Sequence, residues 1–317
     1  MTTVRSRREV QQRVRWLASL AVLWSLIALP AAAREAPPVF QLTPLTERVA
    51  LVSGGASNVV VVAGSEGLLL VDGGAESEAR ALLAFLAGRY PGRPVKVLFN
   101  THWHLANTGL NEAVRRAGGE ILAHENTRLW MSTVINARAE GRIYPPRAEG
   151  ARPTRTFYDG VQTLDFDGVK VEYALLPQAH TDGDIYVRFP SENVIVAGDV
   201  VAPARYPVID AASNGWLGGM VAALRTLSVL GNAQTRYVPG NGPPCGQAEL
   251  KAQEQMGTTL ANRMGESYYK GETWEQFQAS EPLRDLVAQG GDAQAFLRQS
   301  YETAWYHVGE IRRVGAR

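Results

Sequence analysis

From Val49 onward the chain sets short apolar runs between breaks rich in Gly and Asn. Residues 59–62 and 68–71 are unbroken apolar runs, separated by Gly64-Ser65-Glu66-Gly67. They predict two strands covered on both faces and joined by a hairpin-like turn. Asp72-Gly73-Gly74 ends that pair. Between Glu76 and Tyr90 the spacing changes, with Ala79, Leu82, Leu83, Phe85 and Leu86 at helical intervals. The pattern then predicts a strand over 95–99, a short helix over 110–117, a short strand over 121–123 and a helix over 125–132. Residues 135–155, rich in Arg, Pro and Gly, read as a loop. The second half repeats the order. Strands over 162–166 and 169–176 turn at Asp167-Gly168, and further strands cover 185–189 and 194–197. A helix over 216–230 and a short strand at 237–238 follow. From Ala248 the chain reads as helical, broken near Gly271 and Gly290-Gly291, whereas residues 34–45 read as a linker or an edge strand. Two halves, each strand-rich and then helical, predict an α/β fold: a four-layer αββα sandwich with a helical C-terminal extension.

The first 33 residues differ from the rest. Arg5, Arg7, Arg8, Arg13 and Arg15 precede an apolar run from Trp16 to Leu29, and Pro30 leads into Ala31-Ala32-Ala33. Basic, apolar and small residues in that order predict a secretory signal peptide, and so an exported protein, periplasmic or secreted in a bacterium. The run is short for a spanning helix, which needs ~20 residues, so no stable membrane insertion is expected after cleavage. The domain reading is therefore a leader over 1–33, one domain over 34–247, and a helical extension over 248–317 packed on that domain. Net charge changes little: the whole chain is +1, and removing five Arg and Glu9 leaves about −3. No long basic block remains, so nucleic acid is not an expected partner. The single cysteine, Cys245, cannot form an internal disulfide; it is either a small buried hydrophobe or a soft group near a metal.

Candidate chemistry rests on the five histidines, His102, His104, His124, His180 and His307. Two lie in Asn100-Thr101-His102-Trp103-His104-Leu105-Ala106-Asn107-Thr108-Gly109, directly after a predicted strand, where functional side chains collect. In extended backbone a His-x-His pair projects both imidazoles to one side. His180, in Gln178-Ala179-His180-Thr181-Asp182-Gly183-Asp184, and Asp199, in Ala197-Gly198-Asp199-Val200, also fall at strand ends. Three imidazoles with an open fourth position are a catalytic zinc arrangement. His124 fits a helix start, and His307, among Tyr301, Trp305 and Tyr306, fits core packing. Trp103, the 135–155 segment and Trp216 are candidates for the border of a pocket.

In this order, these motifs resemble those of the metallo-β-lactamase superfamily over roughly residues 45–245. The family has an Asp-Gly-Gly-like turn, then Thr-His-x-His-x-Asp-His, a third His, a Gly-Asp after a strand, and a last His in a Pro-Gly-His-Gly-Pro loop. Here Thr101-His102-Trp103-His104, His180, Asp199 and Pro239-Gly240-Asn241-Gly242-Pro243 stand in those places. The departures are Ala106 for the family's Asp, Asn107 for the adjacent His, and Asn241 for the last His. The resemblance implies that these three positions belong to a second metal site, whereas His102, His104 and His180 belong to the first. It therefore implies one Zn2+ per chain, zinc-hydroxide hydrolysis of a carbonyl, ester or related bond in a small molecule, and Asp199 as the catalytic carboxylate or a further ligand. The rival expectation is a pseudo-enzyme acting as a periplasmic binding or scaffold module.

Overall fold

The apolar runs of the first half fold as strands of one mixed sheet. Its elements are β1 (Gln41–Pro44), β2 (Val49–Ser53), β3 (Val59–Ala63), β4 (Leu68–Val71), helix α1 (Ala79–Arg89), β5 (Val95–Phe99), α2 (Asn111–Arg116), β6 (Glu120–His124), α3 (Glu125–Ser132), β7 (Ile135–Ala137), β8 (Arg142–Tyr144) and β9 (Arg155–Phe157). The computed structural model describes residues 38–138, 141–286 and 288–307; the 1–33 leader lies outside them. The first sheet has the order β1-β2-β3-β4-β5-β6-β9, antiparallel up to β4 and parallel beyond it. A second sheet holds β10 (Gln162–Phe166), β11 (Val169–Leu175), β12 (Ile185–Phe189), β13 (Val194–Val196) and β14 (Arg236–Val238), in sequence order. The remaining helices are α4 (Leu217–Leu230), α5 (Gln247–Lys270), α6 (Trp274–Ala279) and α7 (Ala293–Ala304).

Three clusters of buried side chains define four layers. Val49, Leu51, Val60, Val62, Leu69, Val71 and Phe99 of the first sheet pack on Val171, Tyr173, Val187, Phe189 and Val196 of the second. The opposite face of the first sheet buries Val61, Leu70 and Leu98 under Leu82 and Leu86 of α1 and Val114 of α2. The outer face of the second sheet buries Tyr186, Ile195 and Tyr237 under α4, α5, α6 and α7. The αββα sandwich and its helical C-terminal extension are thus both present. Both faces of the central strands being covered explains why β3 and β4 are unbroken apolar runs rather than alternating ones.

One irregularity sets up the site. In β5, Val95 pairs with Leu68 but Val97 pairs with Leu69, so Lys96 is an extra residue. The bulge flips the phase of the strand: Val95 and Leu98 face the helices, whereas Val97 and Phe99 face the second sheet. The chain leaves β5 on that new phase and runs straight into the histidine motif.

The 135–155 segment departs from the loop expected there. It contains the β7–β8 hairpin, a 3-10 turn at Glu149–Ala151 and the start of β9. Strands of three residues are too short to show alternation, and their arginines, Arg142 and Arg155, stand at exposed positions. Ile135 is buried with Trp103 and Met131. Among the described residues no helix is long and apolar enough to cross a membrane.

Candidate metal centre

The two halves of the sandwich each deliver one histidine turn, and each turn is braced in the same way. Asp72, just past β4, accepts the Thr101 backbone N–H and hydroxyl, both at 2.8 Å. Asp184, just before β12, accepts the Thr181 N–H and hydroxyl, both at 2.7 Å. Thr101 precedes His102 and Thr181 follows His180. Both aspartates are buried, and burial pushes each carboxyl up to about 7 against the pull of these hydrogen bonds. Asp72 adopts a left-handed backbone, φ 64°, which Asp tolerates better than bulkier residues.

Residues 101–103 form bends rather than a continuation of β5. The expected same-side projection of extended backbone is therefore replaced by two rings at 77° to one another, which present different nitrogens. His102 Nδ1 lies 3.0 Å from Thr101 Oγ1. The Thr101 hydroxyl already donates to Asp72, so the His102 ring donates from Nδ1 and keeps its lone pair on Nε2. His104 Nε2 is 3.0 Å from Asp210 Oδ2, which leaves its lone pair on Nδ1. His180 Nδ1 donates to the Val208 carbonyl at 2.9 Å, which leaves its lone pair on Nε2.

The three free lone pairs converge. His104 Nδ1 and His180 Nε2 are 3.1 Å apart, and Asp199 Oδ2 lies 3.7 Å from His102 Nε2 and 3.8 Å from His180 Nε2. One donor atom from each of these four residues falls within 4.8 Å of all the others. His102 Nε2 is buried and has no hydrogen-bond partner. An orphaned buried nitrogen and two facing lone pairs are costly without a partner and are what a cation would satisfy. Donors at ~2.0–2.1 Å on a tetrahedral ion sit roughly 3.3 Å apart, close to the His104–His180 spacing. The residues present therefore fit a metal. Burial, with His104 and His180 nearby, holds His102 well below the usual imidazole range, which keeps it neutral. Burial would lower His180 too, but Asp199, Asp184, the Val208 hydrogen bond and Asp210 outweigh it and raise that ring.

Two partners of this cluster carry no signal in the sequence. Asp210 sits 106 residues from His104, at the N-cap of a 3-10 turn, where its side chain accepts the Ala212 N–H. Burial opposes its ionisation, yet the His104 hydrogen bond and charge and the Ser213 hydroxyl hold its carboxyl down to about 2. Asn58 clamps the last motif loop, donating from Nδ2 to the Pro239 and Gly242 carbonyls at 2.9 and 2.8 Å. That clamp brings Gly240 against Asp199 so closely that a Cβ there would overlap the carboxylate.

At Ala106, Asn107 and Asn241, the positions that the resemblance assigns to a second metal, the picture differs. Ala106 offers only its carbonyl, which accepts from Ser57 Oγ at 2.7 Å. Asn107 is buried and donates from Nδ2 to Asp72 at 3.0 Å. Asn241 is exposed and lines a shallow recess with Asp199 and Arg205. Cys245 exchanges backbone hydrogen bonds with Tyr237 and packs on the α4–α5 core. It does not join the four-residue cluster. His124 caps α3, its Nδ1 accepting from the Asn126 N–H at 3.2 Å. Trp103 borders a cavity with Tyr144 and Arg147. Trp216 does not: it is buried in the α4 layer and stacks on His307 at 4.0 Å. The terminal stripe is only partly core, because Trp305 and Tyr306 are exposed.

A sequence profile of the metallo-beta-lactamase superfamily matches residues 52–246, a span that contains the whole cluster. The chain belongs to that superfamily. The 2,4-dinitroanisole O-demethylase subunit alpha of Nocardioides sp. (strain JS1661) is 27% identical over 218 residues, 68% of this chain. The match spans 61% of that subunit's length. Solved metallo-beta-lactamases share the fold: that of Pontibacter korlensis superposes with a TM-score of 0.56 at 22% identity, covering 68% of this chain and 99% of its own. The sec-alkylsulfatase Pisa1 of Pseudomonas sp. gives 0.65 at 17% identity, covering 87% of this chain and 52% of its own.

Proposed function

We propose that this protein is an exported zinc hydrolase, holding one Zn2+ per chain on His102, His104 and His180 and cleaving a carbonyl, ester or related bond in a small molecule. The observation that carries the reading is the set of three imidazoles, each donating outward to a fixed acceptor and turning its other lone pair to one point. Such outer partners fix the tautomer of a metal-binding histidine. Zinc in such a site supplies Lewis acidity and makes water nucleophilic near neutral pH.

The chain's own residues then have separate tasks. Asp210, Val208 and Thr101 hold the three rings in register. Asp199 Oδ2 stands within 4 Å of two of them and is the carboxylate placed to take the proton of the attacking water or to complete the zinc shell. With Ala106 where the family has a carboxylate, Asp199 carries that role alone. The leader's basic and apolar order supports export. The names of the relatives extend the substrates worth testing to aryl methyl ethers and alkyl sulfates, beside lactams, lactones, thioesters and phosphoesters.

Metal analysis of the purified chain, with assay of that panel, tests the proposal. One zinc per chain is expected, with none in His102→Ala or His180→Ala and hydrolysis lost with it. Zero or two zinc ions in the parent, or hydrolysis unaffected by either substitution, overturns it.

A further inference from the structure

Beside the candidate metal centre lies a cavity of about 250 Å3 between α2, α3 and the β7–β8 hairpin. Its walls are Trp103, Trp130, Met131, Ile135, Tyr144 and Ala151. Both indole N–H groups are already committed to the protein: Trp103 Nε1 donates to Ser213 Oγ at 3.0 Å, and Trp130 Nε1 to Asp182 Oδ1 at 2.6 Å. The two indole walls therefore turn carbon, not donors, to the cavity. At the rim Arg147 is neutralised by Glu76 at 3.0 Å, and Glu112 by Arg116 at 2.9 Å. No unpaired charge marks the cavity for an ionic ligand.

We infer that this cavity binds an uncharged aromatic ring, the non-reacting part of the substrate. An apolar cavity of ~150 Å3 takes benzene, so about 250 Å3 admits a fused or substituted ring. The tryptophan and tyrosine rings, with Trp103 and Tyr144 edge-on at 5.3 Å, offer faces and edges suited to stacking. The cavity also adjoins the chemistry. Trp103 and Leu105, both in its lining, flank His104 in the chain, and the Trp103 ring is 4.4 Å from the His104 ring. A ring seated there is one side chain away from the converging nitrogens. Binding energy gained on such a remote group can serve orientation at the reacting bond.

This inference deepens the hydrolase reading, but its test does not depend on zinc. Calorimetric titration of 2-naphthol, and of its saturated counterpart decahydro-2-naphthol, is run on both chelator-treated and zinc-loaded full-length protein. The expected result is one saturable 2-naphthol site per chain in both forms, at least tenfold tighter than the saturated alcohol. Ala148, exposed at the cavity wall, gives the blocking variant Ala148→Trp; Leu105→Trp closes the cavity from the other side and guards against a folding defect in the first. Each is expected to weaken 2-naphthol at least tenfold with zinc stoichiometry unchanged. Equal binding of the two alcohols, absence of a saturable site, or parent-like affinity in both variants overturns the inference. If the parent chain takes up no zinc yet binds 2-naphthol as expected, the hydrolase reading falls and this inference stands.

Discussion

Two neighbouring regions of the same cleft have been treated in opposite ways. Around His102, His104, His180 and Asp199, four donor atoms gather within 4.8 Å, and every outward imidazole nitrogen has a partner. Around Ala106, Asn107 and Asn241 the side chains that remain are a methyl group and two amides, and Asn107 Oδ1 is buried without a hydrogen-bond partner. Asn107 ties to Asp72, and Asn241 turns out to the recess beside Asp199. A methyl group and two neutral amides are poor zinc ligands beside imidazole. Yet the backbone of that second region is held closely: Asn58 donates to the Pro239 and Gly240 carbonyls, and Gly73 N–H donates to the Asn107 carbonyl. On the family resemblance, this held backbone would present a second metal's ligands were its side chains restored.

If that is right, the second position is missing only side chains. The triple variant Ala106→Asp, Asn107→His, Asn241→His should then raise bound zinc from one to two per chain, the largest change expected here. Metal analysis after equilibrium dialysis reads it. A count that stays at one, in a variant that remains folded, would show that the backbone of this region has itself been reshaped.

The outer partners of the first position make the next sharpest test. Asp210→Asn replaces a buried carboxylate that accepts from His104 Nε2 with an amide of similar shape. Loss of such a partner lowers metal affinity by about 10–100-fold, and competition with a chromogenic chelator measures it. An unchanged affinity would mean that Asp210 merely braces the turn at Ala211–Ser213, with no hold on the ligand ring.

Much of this contrast could be read along the chain, because it lies in short contiguous motifs. The unbroken runs of β3 and β4 declare a doubly covered sheet, and His102, His104, His180 and Asp199 each stand at the end of an apolar run. What could not be read is held by long-range contacts. Asp210 reaches His104 across 106 residues, and Asn58 reaches Pro239 across 181; neither has a local pattern to mark it. The bulge at Lys96 is equally silent, since V-K-V-L-F fits an ordinary strand. The β7–β8 hairpin escaped because three-residue strands cannot display a period. For Trp216, a place in the core and a place at a pocket leave the same mark in sequence, and only packing on α4 decides between them.

The smallest effect expected concerns Cys245, the one soft donor near the last motif loop. Its thiol is pushed up to about 12, first by burial and then by the Glu249 charge. A raised thiol pKa keeps the nucleophilic thiolate scarce until pH approaches that value. Alkylation by iodoacetamide in the folded chain should therefore be slow at pH 7–8 and rise about tenfold per pH unit as the thiolate fraction grows. Because the cysteine is engaged with Tyr237 on the α4–α5 side, saturating zinc should change its alkylation rate by less than about twofold. Strong protection by zinc would place a thiolate ligand in the second position after all, and the contrast between the two regions would have to be redrawn around Cys245.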